Sequence, residues 1–316
     1  MIRFYIYSVL WLMLFTATAG CSQAQSGKKP AAVLPEKVFT LPQIPPVLIS
    51  PGDRASYLVA HYWDGFDFSD TTLIARPEIT EQAFADFLDV LPHVSPDESV
   101  KALRGLMASA SVDHTMLMYF TELAGKYLYD PNSPFRNEEF YIPVLEYIVS
   151  LPDLAELYKI RPRYRLELAL KNRPGDVATD FTYTLSNGKS GRLSGIKSEY
   201  TVLFFNNPDC ADCISTKAFI VGSALFRKLV LAKRLTVVAV YPDGDLSLWK
   251  KTTYPPAWIN GSNPALSEAR LYDLKAMPTL YLLDKDKRVI LKDAPVGKIE
   301  EWLDGKGGWV GGIYDL

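Results

Sequence analysis

Two cysteines spaced C-x-x-C, Cys210 and Cys213, are the residues whose type and spacing point most directly to chemistry. They follow the run Tyr200-Thr201-Val202-Leu203-Phe204-Phe205, rich in aromatic and β-branched residues, which reads as a buried strand. They precede Ile214 to Leu231, long and apolar enough for one helix. The pair thus falls where a strand hands over to a helix N-terminus, and there unpaired N–H groups and the helix dipole favour a thiolate. In such a setting Cys210 is the exposed nucleophile. Cys213, one turn in, can attack a mixed disulfide on Cys210 and leave a Cys210–Cys213 disulfide. Half of a zinc site and two unrelated thiols are the other readings. Zinc takes four ligands, yet there is no second C-x-x-C and no close H-x-x-H, and His61, His93 and His114 lie far apart. Spacing and context favour the redox pair, and no metal site is expected.

The elements that must position this pair come from residues 173 to 304. Pro174-Gly175 breaks a preceding helix, Ala178 to Leu185 alternates like a strand, and Ser186-Asn187-Gly188-Lys189 reads as a hairpin turn into a strand that includes Gly191-Arg192-Leu193. After the helix, Leu235 to Tyr241 is a buried strand. Short helices are expected over Asp245 to Lys250 and Ala265 to Tyr272. Thr279 to Leu283 is a strand that turns through Asp284-Lys285-Asp286-Lys287 into Arg288 to Leu291, and Ile299 to Leu303 starts a last helix. Strands alternating with helices and a closing hairpin indicate an α/β domain with a mixed sheet.

Residues 47 to 172 have helical period instead. Arg54 to Trp63, Thr80 to Leu91 with Thr80 as cap, Asp113 to Tyr129, and a segment opened by Asn137 each place apolar residues on one side. Ser95-Pro96-Asp97-Glu98 is a helix start with a capping serine, proline at the first position and acids in the first turn. A further helix from Pro152 or Asp153 is expected to be interrupted at Pro162. The aromatics of Tyr62-Trp63-Asp64-Gly65-Phe66-Asp67-Phe68 are dense enough to be core, and Arg161, Arg163 and Arg165 read as a solvated face.

With 316 residues the chain has room for about two domains. A net charge of −2 implies no general affinity for nucleic acid or anionic membrane. At the N-terminus Arg3 precedes an apolar stretch from Phe4 to Phe15, followed by small residues up to Cys21, the layout of a secretory signal over 1–21. Ala19-Gly20-Cys21 resembles a bacterial lipobox, although Thr18 stands where leucine is usual. That resemblance implies lipidation of Cys21 and an anchor in a membrane outside the cytoplasm. Residues 22–46 read as a flexible tether and 305–316 as a flexible tail. Ser22-Gln23-Ala24-Gln25 lacks the acidic run that resembles a surface-export signal, so the expected side is the periplasm.

From Gly175 and Asp180-Phe181, through Asn187-Gly188 and Phe204-Phe205-Asn206-Asn207-Pro208-Asp209-Cys210-Ala211-Asp212-Cys213, to Tyr272-Asp273-Leu274-Lys275-Ala276-Met277-Pro278-Thr279-Leu280-Tyr281-Leu282-Leu283-Asp284, residues 173–304 resemble a thioredoxin-like domain of the TlpA/ResA type. The resemblance implies a cis peptide before Pro278, opposite the cysteine pair, with Met277, Pro278 and Thr279 presenting backbone to an extended substrate. The 68 positions from Cys210 to Pro278 (278 − 210) resemble the family members that carry an extra strand–helix insert. The whole chain also resembles thioredoxin-family lipoproteins of Bacteroidetes with a helical N-terminal domain, a resemblance that supplies no activity. One departure matters. Asp209 stands before Cys210, where tryptophan is usual, and Asp212 stands inside the pair. Their charges oppose a thiolate, while the helix N-terminus favours it by about 1 kcal/mol. The expectation is a comparatively stable disulfide, hence a reductant or isomerase more than a strong oxidant.

The expected function is a membrane-anchored extracytoplasmic thiol–disulfide oxidoreductase acting on protein thiols or disulfides, served by a membrane redox partner and needing no metal or organic cofactor. A peroxiredoxin-like peroxidase resembles P-x-x-x-T/S-x-x-C, and here Asn207 stands three before Cys210 and Pro208 is too close. A non-catalytic binding or scaffold lipoprotein remains the other alternative.

Overall fold

The computed structural model describes residues 38–305. The signal sequence, Cys21, the tether up to Lys37 and the tail after Gly305 lie outside the described residues. Val38 to Pro46, the last part of the expected tether, has no regular structure but is not free, because the Phe39 ring stacks on Tyr62 at 5.2 Å and meets Trp63 edge-on at 5.3 Å.

The first half is helical: α1 (Pro51–His61), α2 (Pro77–Val90), α3 (Pro96–Ala110), α4 (His114–Ala124), α5 (Glu138–Ser150) and α6 (Glu156–Ala169). Ser95 and Glu98 form a reciprocal capping box at α3, and the Asn137 side chain accepts the Phe140 N–H at α5. Phe84, Phe87, Leu103, Met107, Phe120, Leu145 and Ile148 are fully buried in its core. The Tyr62–Phe68 aromatics belong to that core: Trp63 packs edge-on against Phe87 and Phe120.

The helices differ from expectation in several places: α1 runs from Pro51 to His61 where Arg54 to Trp63 is expected, and α6 starts at Glu156, after the expected Pro152 or Asp153. Thr80 is not a cap. Pro77, whose fixed φ suits a first helical position, starts α2 earlier, and the buried Thr80 hydroxyl instead meets the Tyr119 hydroxyl at 2.7 Å. The expected helix to Tyr129 stops at Ala124, and Gly125–Tyr129 is a π-helical turn. Pro162 does not interrupt α6; it lies buried within it. Arg165 is also not on a solvated face. It donates to the Tyr141 hydroxyl at 2.8 Å and lies 4.3 Å over the Tyr129 ring.

The second half carries a seven-stranded mixed sheet: β1 (Thr182–Leu185), β2 (Ser190–Arg192), β3 (Tyr200–Phe205), β4 (Leu235–Tyr241), β5 (Ile259–Ser262), β6 (Thr279–Leu283) and β7 (Val289–Lys292), in the order β2-β1-β5-β4-β3-β6-β7. β3, β4 and β5 are parallel; the pairs β3–β6, β6–β7, β1–β2 and β1–β5 are antiparallel. Alternate residues of the central strands enter two apolar layers. Leu203, Phe205, Val238, Val240, Tyr281 and Leu283 pack with Phe181 and Tyr272 on one face. Val202, Phe204, Val237, Ala239, Leu280 and Leu282 pack on the other against Ile220 of α7 (Ala211–Gly222), Phe226 and Leu229 of α8 (Ala224–Leu231), and Ile299. A strand covered on both faces has no polar side, which is why β3 and β4 read as unbroken apolar runs.

The single helix expected to Leu231 breaks at Ser223. That residue is extended (ψ 129°), and its hydroxyl accepts the Phe226 N–H at 3.2 Å to restart the chain as α8. The short helix α9 (Leu246–Lys251) is capped by Asp245. α10 is shorter than expected (Ala265–Glu268), and α11 (Val296–Leu303) starts three residues earlier than expected. The hairpin turn is as expected, with Gly188 at φ 81°, a left-handed conformation that glycine adopts without strain.

Tyr183 of β1 lies against two glycines. A Cβ on Gly261 would fall 2.9 Å from the Tyr183 Cβ and 3.0 Å from its Cγ, whereas on Gly191 it would strike the far edge of the ring. The near end of a side chain cannot swing away. Gly261→Ala should therefore destabilise by about 1–3 kcal/mol, and more than Gly191→Ala, as read by urea denaturation.

Candidate functional site

The site forms where β3 ends. Cys210 is the N-cap of α7, and its sulfur accepts the Cys213 N–H at 3.2 Å. A sulfur there receives a helix-terminal N–H together with the positive end of the helix dipole. The Cys210 thiol donates to the Met277 carbonyl at 3.3 Å. Cys210 is half-buried and Cys213 is 3% exposed, and both thiols are free. Burial pushes the Cys213 thiol up to about 12; its hydrogen bond with Cys210 and the Asp212 charge act in the same direction, against the Asn207 N–H that reaches its sulfur at 3.5 Å.

Register explains how Met277 reaches Cys210. Phe205, the last residue of β3, pairs with Val240 on one side and Thr279 on the other. The loop before β6 therefore ends beside the helix that follows β3. The Met277–Pro278 peptide is cis, and the Thr279 hydroxyl closes the loop by donating to the Ala276 carbonyl at 2.7 Å. Pro278 has no N–H, so at this residue the loop offers an incoming chain only its carbonyl.

Asp209 and Asp212 are both exposed, so water and salt screen their charges at the site. Asp209 does not pair with either thiol; its N–H donates to the Asn207 side chain at 3.0 Å. Asn207 in turn donates to Asp243 at 2.8 Å. Among the described residues no group of three His, Cys, Asp or Glu side chains is assembled as for a metal ion. His61 pairs with Asp64, and His114 packs on Tyr158.

Sequence reasoning missed the polar group next to Cys213. Asn206, 2% exposed, accepts the Tyr254 hydroxyl at 2.6 Å and donates to the Phe204 carbonyl at 2.9 Å. Burial pushes the Tyr254 phenol up to about 12, with the neighbouring Cys213 adding to the effect. Lys217 lies 5.0 Å over the Tyr254 ring. Tyr254 comes from the stretch between α9 and β5, and no spacing rule links it to the cysteines.

A strand–loop–helix bearing C-x-x-C, opposed by a cis-proline loop on a mixed sheet, defines the thioredoxin-like fold. Comparison with known proteins agrees. The chain is 48% identical to a thioredoxin-like protein from Bacteroides caccae of known crystal structure, with a TM-score of 0.82, over 85% of this chain and 98% of that one. The chain belongs to the thioredoxin-like proteins. Residues 17–172 match a family described only as a domain of unknown function (DUF5106). The C-terminal domain of an uncharacterized protein from Bacteroides fragilis is 43% identical over 42% of this chain and 98% of its own, with a TM-score of 0.41. The thioredoxin domain of a thiol-disulfide oxidoreductase from Bacteroides vulgatus is 19% identical over 41% of this chain and 97% of its own, with a TM-score of 0.35. No curated protein matches the chain.

The buried thiol sets a pH dependence. Attack on a disulfide placed at Cys210 needs the Cys213 thiolate, whose fraction grows about tenfold per pH unit below a value of about 12. With thionitrobenzoate loaded on Cys210, its release by Cys213 should accelerate with pH through about pH 9 without levelling, as followed by absorbance in stopped flow. Levelling near pH ~7 would mean that burial does not hold the Cys213 proton.

Proposed function

We propose that the protein is a membrane-anchored extracytoplasmic thiol–disulfide oxidoreductase that works as a reductant or isomerase. The observation that carries this reading is a half-buried Cys210 sulfur at the α7 N-terminus that accepts the N–H of the buried Cys213. The Cys210 thiolate attacks one sulfur of a protein disulfide, the substrate S–S bond breaks, and the leaving thiolate takes up a proton. Cys213 then loses its proton and attacks the Cys210 sulfur. The mixed disulfide breaks and the second substrate thiol departs. Two electrons have passed to the substrate, and the protein holds a Cys210–Cys213 disulfide until a membrane redox partner reduces it. Met277, Pro278 and Thr279 line the edge along which the substrate backbone lies, and the exposed Ile214 gives an apolar side chain one turn beyond Cys210.

Support for a reducing role lies in Cys213 as well as in the acidic neighbours. A thiol that holds its proton to about 12 is a poor leaving group when the protein's own disulfide is attacked, so the oxidised form persists. The trap experiment is Cys213→Ser. It should accumulate a mixed disulfide with substrate through Cys210 on non-reducing gels, while Cys210→Ser captures nothing. Titration of the wild-type pair against glutathione should give a potential near thioredoxin's, about −270 mV; a value near about −120 mV would make it an oxidant instead.

The anchor rests on the lipobox-like Ala19-Gly20-Cys21. Cys21→Ser should move the protein from the membrane to the soluble periplasmic fraction. An unchanged membrane fraction would remove lipidation from the proposal.

A further inference from the structure

Met277 carries the carbonyl that meets Cys210. Two residues earlier is Lys275, whose side chain points away from the cysteines toward the helical half. Its ammonium reaches Asp273 at 3.0 Å, Glu138 at 3.1 Å and Asp293 at 3.4 Å, and it lies 4.4 Å over the Tyr129 ring. Glu138 is the first residue of α5, where the helix dipole also favours its charge. Its other oxygen pairs with Lys292 at 2.7 Å. Lys292 donates in addition to the carbonyls of Ala169 and Lys171, at 3.0 and 2.7 Å, at the end of α6. Arg136 donates to the Asp293 carbonyl at 2.5 Å.

Three carboxylates and three cations thus share one junction. The side chains of Lys275, Glu138 and Asp273 are only 10%, 12% and 5% exposed. Burial opposes the Lys275 charge, but the Glu138, Asp293 and Asp273 carboxylates overcome it and hold the lysine protonated. Burial likewise opposes the Glu138 charge, and Lys292 and Lys275 overcome it. Leu274 and Met277 pack against the sheet core, while Tyr129, Tyr272, Asp273 and Lys275 border a cavity of about 170 Å³. On that side of the loop the contacts are the charge pairs of Lys275 and its place over the Tyr129 ring.

We infer that Lys275 and Glu138 are positioning residues through which the helical half, whose family carries no described role, braces the active-site loop and sets the distance from the Met277 carbonyl to the Cys210 thiol. The helical half then acts as part of the catalytic apparatus, beyond any tethering or docking role. The inference rests on the thiol–disulfide reading for its consequence in turnover, but not for its consequence at Cys210. With the brace loosened, the Cys210 thiol loses its hydrogen bond to the Met277 carbonyl and becomes freer to attack an electrophile, and the loop no longer presents its edge at a fixed distance.

The test uses the full chain carrying Glu138→Gln, which keeps the shape and removes the charge, with Lys275→Arg as the conservative control. Two rates are read beside the melting temperature: alkylation of reduced Cys210 by iodoacetamide, located by mass spectrometry, and reduction of a glutathionylated model peptide. Glu138→Gln should alkylate about threefold faster and lose about tenfold or more in kcat/KM. Lys275→Arg should keep both near wild type. A lower melting temperature with both rates unchanged would overturn the inference, since a merely structural junction behaves that way. If Glu138→Gln does not fold, the double variant Glu138→Gln/Lys275→Met leaves fewer opposed charges and is read by the same two rates, with the same expected and overturning results. If the wild type reduces no disulfide, the functional reading fails, while the alkylation rates still decide the brace.

Discussion

The register of one strand constrains everything at the site. Phe205 is paired on both sides, with Val240 in parallel and Thr279 in antiparallel register. A slip of one residue would turn Phe204 and Phe205 to the opposite layers, both of which are filled, so the apolar pattern itself locks the pairing. With the register locked, the chain after β3 and the chain before β6 must end side by side. The cysteine pair and the Met277–Pro278 loop are those two chain ends. Their contact at 3.3 Å is a consequence of how the core packs, since the two are 67 residues apart in sequence.

The junction between the halves is held by a different force. The helical core and the two sheet layers are separate apolar clusters, and between them lie paired charges. A buried ion pair stabilises little overall, because desolvation takes back most of the Coulomb gain, but leaving one partner alone is strongly unfavourable. Such a contact is directional where an apolar one is not. It fixes which side chains must meet, and here one of them is two residues from the carbonyl that accepts the Cys210 thiol. Arg173, bound to Glu139 where the chain crosses from one half to the other, extends the same arrangement along the connection.

The sheet and the cysteine pair were legible in the sequence because each leaves a local mark: unbroken apolar runs for the doubly covered strands, C-x-x-C at a strand–helix boundary, Gly188 in its turn. β5 was not legible. Ile259-Asn260-Gly261-Ser262 carries one β-branched apolar residue and a glycine, and it is a strand because β4 and β1 hold it from both sides. The break at Ser223 and the continuation through Pro162 were missed for a related reason: a capping serine can sit inside an apolar run, and a buried proline can be kept in a helix by what packs on it. Asn206, Tyr254 and Lys275 were beyond reach of any spacing rule, since each acquires its role from a partner 48 or more residues away. Arg165 reads as solvated in sequence, and the Tyr141 hydroxyl and the Tyr129 ring half-bury it.

Asp209 and Asp212 stand beside the pair, yet their exposure limits what they can do. Two charges about 6 Å apart in water interact by about 0.7 kcal/mol, and salt reduces this further. An exposed carboxylate such as Asp209 or Asp212 therefore acts on its surroundings only weakly. Burial of Cys213 is not screened in this way; it is the largest of the causes that push that thiol up to about 12, with the Cys210 hydrogen bond and the Asp212 charge acting in the same direction. Exchange rates depend on the leaving thiol, with the less acidic one leaving more slowly. A nucleophile attacking Cys210 of the oxidised protein must expel Cys213, the less willing group. On the proposed reading, then, the reducing character comes chiefly from the burial of the second cysteine, and the Asp212 charge adds to it in the same direction.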